Sequence, residues 1–363
     1  MHQRIAVVGL GAVGGPIAAQ LKLQLPDTIM GVTSQPATAK AYRENGLIVD
    51  WRGNRRMPVY LDNVFGDIHD LPNDLDIIYL ATKADAAVRV CKTLKDKLKP
   101  AGLLVSLQNG YIIDDIAEVM GEARTAAAII VWGASLREDG SFAVTGDGNF
   151  VVGGLPETRQ HKVDLVAQQL KEVFPVEETD NIRGAIWSKL CVNSCVTAMG
   201  AITGLTFGEQ TQRKLIRSFF LQLIAETIRV GHKHGIAFEK LGGKLHPVRL
   251  SSISNWPPMF MKHIILKKIG AEYGDSESSM LQSIRRNRPP EIEYINGVIS
   301  KLGRKHEVPT PRHDLMIRMV KEIAAGERET SLENLVELLS LDKRKARALP
   351  KSDAESASSD PNP

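Results

Sequence analysis

The sequence contains little cysteine and few aromatic side chains. Its 363 residues include three cysteines, Cys91, Cys191 and Cys195, and Phe, Trp and Tyr together make up 5%. An odd number of cysteines without a regular framework argues against a disulfide-stabilised secreted fold and predicts a reducing compartment. Cys191 and Cys195 lie one helical turn apart, with no histidine near them in the sequence. Core packing is the better interpretation of this pair, and we predict no metal site.

A strong excess of charge of one sign is also missing. The formal net charge is +4, with 43% hydrophobic and 24% charged residues. These proportions are those of an ordinary soluble globular protein. Without a dense basic face, we expect a small anionic ligand as partner and no nucleic acid. The length of the chain favours two domains.

The chain also lacks a long apolar segment free of polar residues. Residues 190–208 carry no charged side chain, and a run of this length suits a membrane span. It is interrupted by Asn193, Ser194, Thr197, Gly200, Thr203 and Gly204. We therefore expect a helix buried in protein and no membrane association. No signal-peptide pattern precedes the first strand, which begins near residue 4, so we expect a cytoplasmic protein.

The most informative pattern lies at the N-terminus, where an apolar strand from Ile5 runs into a glycine-rich turn and then a helix. The turn is Gly9-Leu10-Gly11-Ala12-Val13-Gly14, with the G-x-G-x-x-G spacing of dinucleotide-binding folds. Gly9 permits a tight turn, Gly11 lets the backbone approach a pyrophosphate, and Gly14 lets the helix pack closely on the strand. A tight strand–helix turn without a ligand is the alternative. The strand before and the helix after favour a dinucleotide site.

The end of the second strand bears on which dinucleotide binds. Residues 28–33 form this strand, and Ser34 follows without an acidic neighbour. A carboxylate at this point would bind the ribose 2′-hydroxyl of NAD. Its absence, with Lys40 and Arg43 on the next helix, favours NADP. The alternative is that Lys40 and Arg43 form a solvated helix face.

Further strands are predicted at 75–81, 103–107 and 126–132. The first two end next to Lys83 and Asn109, and the carboxyl ends of parallel strands line the ligand crevice of such sheets. Both residues are therefore candidates for the site. Phe142 to Val144 and Phe150 to Val152 are predicted to pair as a hairpin around Asp147-Gly148-Asn149.

Beyond residue 180 the pattern becomes almost entirely helical. Helical apolar spacing covers 185–203, 210–234, 277–303 and 311–324, whereas 236–275 reads as irregular and 343–363 as disordered. The sequence thus predicts an α/β fold with a doubly wound Rossmann-type domain at 1–180. An all-helical domain at 181–342 and a disordered tail at 343–363 follow.

Two charged residues in the helical part are candidates for chemistry. Lys189 is followed by no other charge until Glu209, and Asn193 lies one turn further along the same helix face. Such a lysine either snorkels to water or faces a polar cleft, and the attached cofactor domain favours the cleft. Glu291 follows Pro289-Pro290 and falls in the first turn of a new helix. It either takes part in the site or merely complements the helix dipole.

These motifs, in this order, resemble the ketopantoate reductase (2-dehydropantoate 2-reductase) family over roughly residues 4–325. The matching stretches are GLGAVG, WSKLCVNS and SSMLQSIRRNRPPEIEYINGV. The resemblance implies a Rossmann domain and a helical C-terminal domain like that of 6-phosphogluconate dehydrogenase. It also implies NADPH-dependent reduction of a 2-keto acid, most simply 2-dehydropantoate in pantothenate biosynthesis.

The resemblance also implies roles for individual residues. Lys189 matches the family's catalytic lysine and Glu291 its active-site glutamate. The positions that match substrate-contacting residues are Asn109, Asn193 and Ser279. The positions expected at the cofactor are Gly9, Leu10, Gly11, Ala12, Val13, Gly14, Ser34, Lys83 and Asn109.

The chain departs from the family pattern at several points. Thr197 stands where the family usually has asparagine, and Ser34 where an arginine is common. Residues 236–275 are longer than expected and carry Trp256 and the run Met259-Phe260-Met261. These side chains could cover the active site as a lid or form a homodimer contact, and the sequence leaves both open. The departures leave the substrate and cofactor preference open.

Two other functions are compatible with parts of the pattern. A mandelate-type 2-hydroxyacid dehydrogenase or a 3-hydroxyacid dehydrogenase would share the fold, and the latter group also pairs a helical lysine with an asparagine four residues on. It should lack the segment with Ser279 and Glu291, which this chain has. A non-catalytic NADP-sensing module should have lost the polar residues that are retained here.

Overall fold

The computed structural model describes residues 2–55, 57–240, 246–274 and 277–348. The chain divides into two compact units, Met1–Ser188 with Ile236–Glu239, and Lys189–Gly235 with Lys240–Pro363. The division lies within one helix, a few residues beyond the predicted change of pattern at 180. The returning segment is held in the first unit by hydrogen bonds at Glu239. Its carbonyl oxygen accepts from Ser188 Oγ at 2.9 Å and its carboxylate from Thr179 Oγ1 at 2.7 Å.

The first unit contains twelve strands and five α-helices within the described residues. The strands are β1 Arg4–Val8, β2 Thr28–Val32, β3 Val49–Trp51, β4 Asn54–Arg55, β5 Asn63–Phe65, β6 Leu75–Leu80, β7 Leu98–Ser106, β8 Thr125–Ile130, β9 Ala134–Leu136, β10 Phe142–Val144, β11 Phe150–Gly154 and β12 Val176–Glu178. The helices are α1 Gly14–Gln24, α2 Pro36–Asn45, α3 Ala84–Lys97, α4 Ile113–Met120 and α5 Gln160–Lys171. The strands predicted at 28–33, 75–81, 103–107 and 126–132 are all present, as β2, β6, β7 and β8.

The main sheet has the order β12-β11-β8-β7-β6-β1-β2-β5. From β8 to β5 the neighbours are parallel. Numbered along the chain, these six strands follow the 3-2-1-4-5-6 order of doubly wound dinucleotide-binding sheets, which confirms the predicted fold class. Residues 5–7 of β1 and 77–80 of β6 are almost completely buried, as expected for central strands covered on both faces. The strand order reverses between β1 and β6.

The predicted hairpin between β10 and β11 is wrong. β10 lies in a second sheet of order β4-β3-β10-β9, whereas β11 pairs with β8 and β12 in the main sheet. The intervening chain crosses from one sheet to the other, with Thr145 N bonded to Gly133 O at 2.9 Å and Val131 N to Asn149 O at 3.0 Å. β10 pairs with β9, just before it in sequence, and with the distant β3, whereas β11 pairs with β8 and β12. The local turn sequence at 147–149 therefore does not decide the pairing.

The second unit is helical within its described residues. Helix α6 Ile182–Thr203 enters it from the first unit and is followed by α7 Phe207–Gln212, α8 Lys214–Lys233, α9 Pro247–Leu250, α10 Met259–Tyr273, α11 Ser279–Arg285, α12 Val298–Lys305, α13 Pro311–Ala324 and α14 Asn334–Ala348. A π-helical turn at Glu293–Gly297 leads directly into α12. Helix α6 is long and apolar enough to span a membrane, but 72% of its most apolar window is buried inside the protein. It is the predicted buried core helix.

Two predictions for this unit need correction. Residues 259–273 were expected to be irregular but form α10, because Pro258 takes the N-cap position and neither Gly nor Pro follows until Gly270. Residues 343–348 were expected to be disordered but continue α14, since helix propagation is easier than helix nucleation. The rest of the predicted tail, 349–363, lies outside the described residues.

Candidate functional site

The glycine-rich loop after β1 has the geometry of an anion cradle. Gly9 has φ of +102° and its N–H bonds to Val32 O at 2.9 Å. A Cβ at Gly14 would lie 2.2 Å from the Gly9 carbonyl oxygen, whereas one at Gly11 would meet no described atom within 4 Å. The first turn of α1 carries no acidic residue, so its N–H groups and positive dipole suit an anion. The loop fits the pyrophosphate of a dinucleotide, with Gly11 as the point of close approach.

The two cations near the end of β2 both have partners within the protein. The Arg43 guanidinium donates to Val64 O, and Lys40 Nζ lies 3.8 Å from the carboxylate of Glu44 on an exposed face of α2. The solvated helix face considered for this pair therefore accounts for both side chains. Ser34 is exposed two residues after the end of β2.

The ends of β6 and β7 are joined by Gln108. Its amide nitrogen donates to Leu80 O at 2.8 Å and Thr82 O at 3.1 Å. The Oγ1 atom of Thr82 is buried without a hydrogen-bond partner in the described part of the chain, beside the glycine loop. Such an orphaned hydroxyl calls for a partner from outside the protein or from water. Lys83, exposed at the N-cap of α3, and the half-buried Asn109 follow the same two strand ends.

Lys189 and Asn193 lie one turn apart on α6 and both are partly buried, as predicted. Burial lowers the pKa of Lys189 from 10.5 to about 8, and the charge of Glu291 opposes that shift. The neighbouring face of the helix is apolar, with Leu190, Cys191 and Cys195 completely or almost completely buried. A lysine with a pKa close to neutral is suited to proton transfer.

Ser279 and Glu291 belong to two consecutive segments that pack on α6. Ser278, the N-cap of α11, donates from Oγ to Thr197 O at 2.6 Å, which places the exposed Ser279 next to α6. The helix ends at Arg285, and a new turn begins at Ile292, so the predicted break before Glu291 is confirmed. Glu291 is partly buried, and its charge raises the pKa of Lys189, so the two side chains are close enough to interact.

The structure thus assigns the predicted site residues to two groups. Lys189, Asn193, Ser279 and Glu291 belong to the second unit, and the glycine loop, Ser34, Lys83 and Asn109 to the first. All three cysteines are buried and none forms a disulfide, consistent with core packing. Within the described ranges, no group of three or more His, Cys, Asp or Glu side chains is arranged to hold a metal ion.

One residue of this region was missed from the sequence. Asn296, in the π-helical turn after Glu291, is completely buried and its amide nitrogen donates to Ser194 O on α6 at 3.0 Å. The signal was present in the sequence, because Asn296 shares a helical face with the apolar residues Ile292 and Ile299. An amide at such a position needs partners in the core, and π-helical turns are frequent at functional sites.

Comparison with known families gives two matches that together cover most of the chain. Residues 5–157 match the family model described as "Ketopantoate reductase PanE/ApbA". Residues 181–324 match the model described as "Ketopantoate reductase PanE/ApbA C terminal".

Several curated proteins are similar over nearly their whole length. The 2-dehydropantoate 2-reductase of Archaeoglobus fulgidus is 24% identical over 325 residues, which are 89% of this chain and 99% of the relative. That of Pyrococcus horikoshii is 26% identical over 320 residues, 88% of this chain and 96% of the relative.

Solved structures share the fold at lower identity. A D-mandelate dehydrogenase with NADH and anilino(oxo)acetate has a TM-score of 0.76 at 21% identity, covering 89% of this chain and 99% of that one. A PanE/ApbA family ketopantoate reductase from Ralstonia eutropha has a TM-score of 0.74 at 21% identity, covering 90% and 100%. A dimeric ketopantoate reductase from Staphylococcus aureus has a TM-score of 0.64 at 22% identity, also covering 90% and 100%.

Proposed function

Because the chain belongs to the ketopantoate reductase family, we propose that it reduces a 2-keto acid to a 2-hydroxy acid with NADPH. The proposed substrate is 2-dehydropantoate, the substrate in the names of its curated relatives. The observation that carries the proposal is the state of Lys189, a partly buried lysine whose pKa is lowered to about 8 and which interacts with Glu291. Reduction of a ketone requires an acid of this kind.

Lys189 acts as the general acid in this proposal. When bound, the dinucleotide supplies the hydride that reduces the carbonyl carbon. The ammonium group of Lys189 polarises the carbonyl oxygen and donates a proton to it as negative charge develops. A positioned general acid contributes about 10²–10⁴-fold to the rate. The lowered pKa makes Lys189 a stronger acid than a solvent-exposed lysine while most of it stays protonated at pH 7.

The polar residues around Lys189 orient the substrate. Asn193, one turn further on α6, and Ser279, exposed at the start of α11, offer an amide and a hydroxyl for its carboxylate and hydroxyl groups. The family resemblance separately suggests Asn109 as a residue that contacts the substrate. Glu291 holds up the pKa of Lys189 and accepts a hydrogen bond from a substrate hydroxyl.

Residues of the first unit hold the cofactor in this proposal. The N–H groups at Gly11 and at the start of α1 bind the pyrophosphate, and the Thr82 hydroxyl and Lys83 contact the dinucleotide near the ends of β6 and β7. The choice of NADPH rests on the exposed Ser34 after β2, where an acidic residue would exclude a 2′-phosphate.

The reaction is tested by following NADPH oxidation with a panel of 2-keto acids, including 2-dehydropantoate, pyruvate and phenylglyoxylate. We expect 2-dehydropantoate to give the highest kcat/KM. A higher value for phenylglyoxylate would refute the proposed substrate and leave the reaction class standing. No oxidation with any of the acids would refute the function itself.

The role of Lys189 is tested with Lys189→Ala. We expect kcat to fall at least 100-fold, with the Kd for NADPH unchanged because none of the residues proposed to bind the cofactor is altered. Lys301→Ala, an exposed lysine on α12, serves as the matched control and should leave both values unchanged. Undiminished turnover by Lys189→Ala would exclude it as the acid.

The pH dependence follows from the same side chain. Because the proton donor must be charged, kcat/KM for reduction should be constant from pH 6 to 7 and fall as pH rises above about 8. Glu291 raises the pKa of Lys189, so Glu291→Gln should move this fall to lower pH. A profile that is identical in the two proteins would contradict the assignment of Glu291.

The cofactor choice is tested by comparing NADPH with NADH. We expect the higher kcat/KM for NADPH, and Ser34→Asp should reverse the order by repelling the 2′-phosphate and binding the 2′-hydroxyl. Ser34→Asn, without the charge, is the matched control. If the wild-type protein prefers NADH, the proposed specificity is wrong.

An exposed apolar surface is formed by α10 and the residues just before it, and we propose that it either covers the substrate or forms a homodimer contact. Trp256 is 66% exposed, Phe260 65%, Ile264 51% and Met259 48%. Such a surface suits a binding partner better than water, either the substrate beneath a lid or a second copy of the chain. Replacing Met259 and Phe260 with alanine separates the two. A lid predicts a changed order of kcat/KM across keto acids at constant mass, and a homodimer contact predicts a lower mass with the order retained.

A further inference from the structure

Asn296 occupies the centre of a buried row of polar groups in the second unit. Its amide nitrogen donates one hydrogen to Ser194 O on α6 at 3.0 Å and lies 3.2 Å from His313 Nδ1 on α13. On the other side of the ring, His313 Nε2 lies 3.1 Å from Thr227 Oγ1 on α8, and that hydroxyl donates to Leu223 O at 3.2 Å. Asn296, His313 and Thr227 are all completely buried.

The donor and the acceptor of each hydrogen bond in this row can be assigned from the atoms that form it. The amide nitrogen of Asn296 has only hydrogens to offer, so His313 Nδ1 must be the acceptor and Nε2 must carry the ring proton. His313 is therefore neutral, in agreement with the way burial lowers its pKa to about 3. In a charged imidazole Nδ1 would also carry a hydrogen, and this N–H would face the N–H of the Asn296 amide, so two donors would meet without an acceptor. The row thus has one arrangement of protons, and it ties the π-helical turn to α6, α13 and α8.

The row is poorly explained by stability alone. The Oδ1 atom of Asn296 and the Oγ atom of Ser194 are buried without a hydrogen-bond partner among the described residues. Buried polar atoms left without partners destabilise a fold, so the two hydrogen bonds of the Asn296 amide nitrogen are made at the cost of its unpartnered oxygen. A buried amide kept at this position therefore points to a role in setting geometry.

That geometry concerns the two residues proposed for catalysis. Asn296 bonds to α6 one residue beyond Asn193, and it lies five residues after Glu291, in the π-helical turn Glu293–Gly297 that follows it. Ser278, next to Ser279, makes the corresponding bond to Thr197 O one turn further along α6. The segments bearing Ser279 and Glu291 are thus each fastened to the α6 backbone by a side-chain donor.

We propose that Asn296 is a positioning residue that holds the segment bearing Glu291 in register with Lys189 and Asn193 on α6. The inference rests on the proposed reductase function and adds a residue that touches neither substrate nor cofactor. Its two amide donors must both be in place, because one bond alone would allow the amide to rotate. His313 is then the acceptor that orients the amide.

The test compares Asn296→Leu, similar in volume without donors, with the wild-type protein. We expect kcat with the preferred keto acid to fall at least tenfold, with the Kd for NADPH close to wild type and the unfolding midpoint lowered, because the buried His313 Nδ1 loses its donor. Ser300→Ala is the matched control, since Ser300 is buried one turn later and bonds to Asp314 instead of α6. A kcat for Asn296→Leu within twofold of wild type would overturn the proposal.

A second pair of variants covers the case in which Asn296→Leu fails to fold. His313→Gln retains an acceptor for Asn296 and a donor for Thr227, whereas His313→Leu retains neither. We expect kcat within twofold of wild type for glutamine and at least fivefold lower for leucine. Equal kcat values in the two variants would overturn the proposal.

A readout without turnover distinguishes this inference from the proposed function. The pKa of Lys189 can be measured in any folded variant from the pH dependence of its competitive acetylation, read by mass spectrometry. Releasing Glu291 should lower the pKa of Lys189 in Asn296→Leu, because Glu291 holds it up. A pKa that stays the same or rises would overturn the positioning role, whatever the substrate is.

Discussion

Replacing Lys189 with methionine should stabilise the protein while abolishing the proposed activity. Burial lowers the pKa of Lys189 from 10.5 to about 8, and this value already includes the opposing effect of the Glu291 charge. One pKa unit corresponds to about 1.4 kcal/mol, so the charged lysine costs the fold about 3 kcal/mol at pH 7. Methionine retains an unbranched chain of similar length without the charge.

The sign of the pH dependence follows from linkage. Because the pKa is lower in the folded state, the cost is fully present below pH 8 and disappears as pH rises towards 10.5. The stability gain of Lys189→Met should therefore be about 3 kcal/mol at pH 7 and about 2 kcal/mol at pH 9. Relaxation around Glu291, which no longer faces the charge of Lys189, would make both values smaller without changing their order.

Urea unfolding followed by far-ultraviolet circular dichroism at pH 7 and pH 9 measures both quantities. Lys301→Met, at an exposed position on α12, is the control and should change stability little at either pH. The reasoning is refuted if Lys189→Met is no more stable than wild type at pH 7. It is also refuted if its gain is the same at both pH values.

Three further predictions concern the two units separately. Gly14→Ala should lower the unfolding midpoint because its Cβ would lie 2.2 Å from a carbonyl oxygen, whereas Gly11→Ala should leave the midpoint unchanged and weaken NADPH binding at least tenfold by calorimetry. Glu226→Gln should destabilise by about 3–5 kcal/mol in urea, since Glu226 and Arg312 form a buried ion pair at 3.0 Å; an effect below 1 kcal/mol would contradict this. Cys91, whose pKa burial raises to about 12, should resist iodoacetamide at pH 8 until the protein is unfolded, and rapid labelling of the native protein would contradict its burial.

Local sequence patterns predicted the main sheet of the first unit and the candidates for chemistry, but not the second sheet. The glycine spacing and the apolar strands predicted the dinucleotide-binding sheet, because strand, turn and helix follow one another within about thirty residues. The placement of Lys189 and Asn193 on one helix face was likewise predictable, since helical periodicity is local. The break at Pro289-Pro290 could be predicted because proline acts through its own backbone.

Tertiary structure decided the features that depend on distant partners. The strands at 142–144 and 150–154 join different sheets because the first pairs with β9 and β3 and the second with β8 and β12, and the turn between them does not specify these partners. The pKa of Lys189 could not be predicted because burial and Glu291 act on it in opposite directions, and only their geometry decides which prevails. Asn296 acquired its role in the same way, since its acceptors on α6 and α13 come from residues 194 and 313. Local sequence patterns specify helices and strands, whereas the protonation state and alignment of the site residues depend on neighbours that only folding brings next to them.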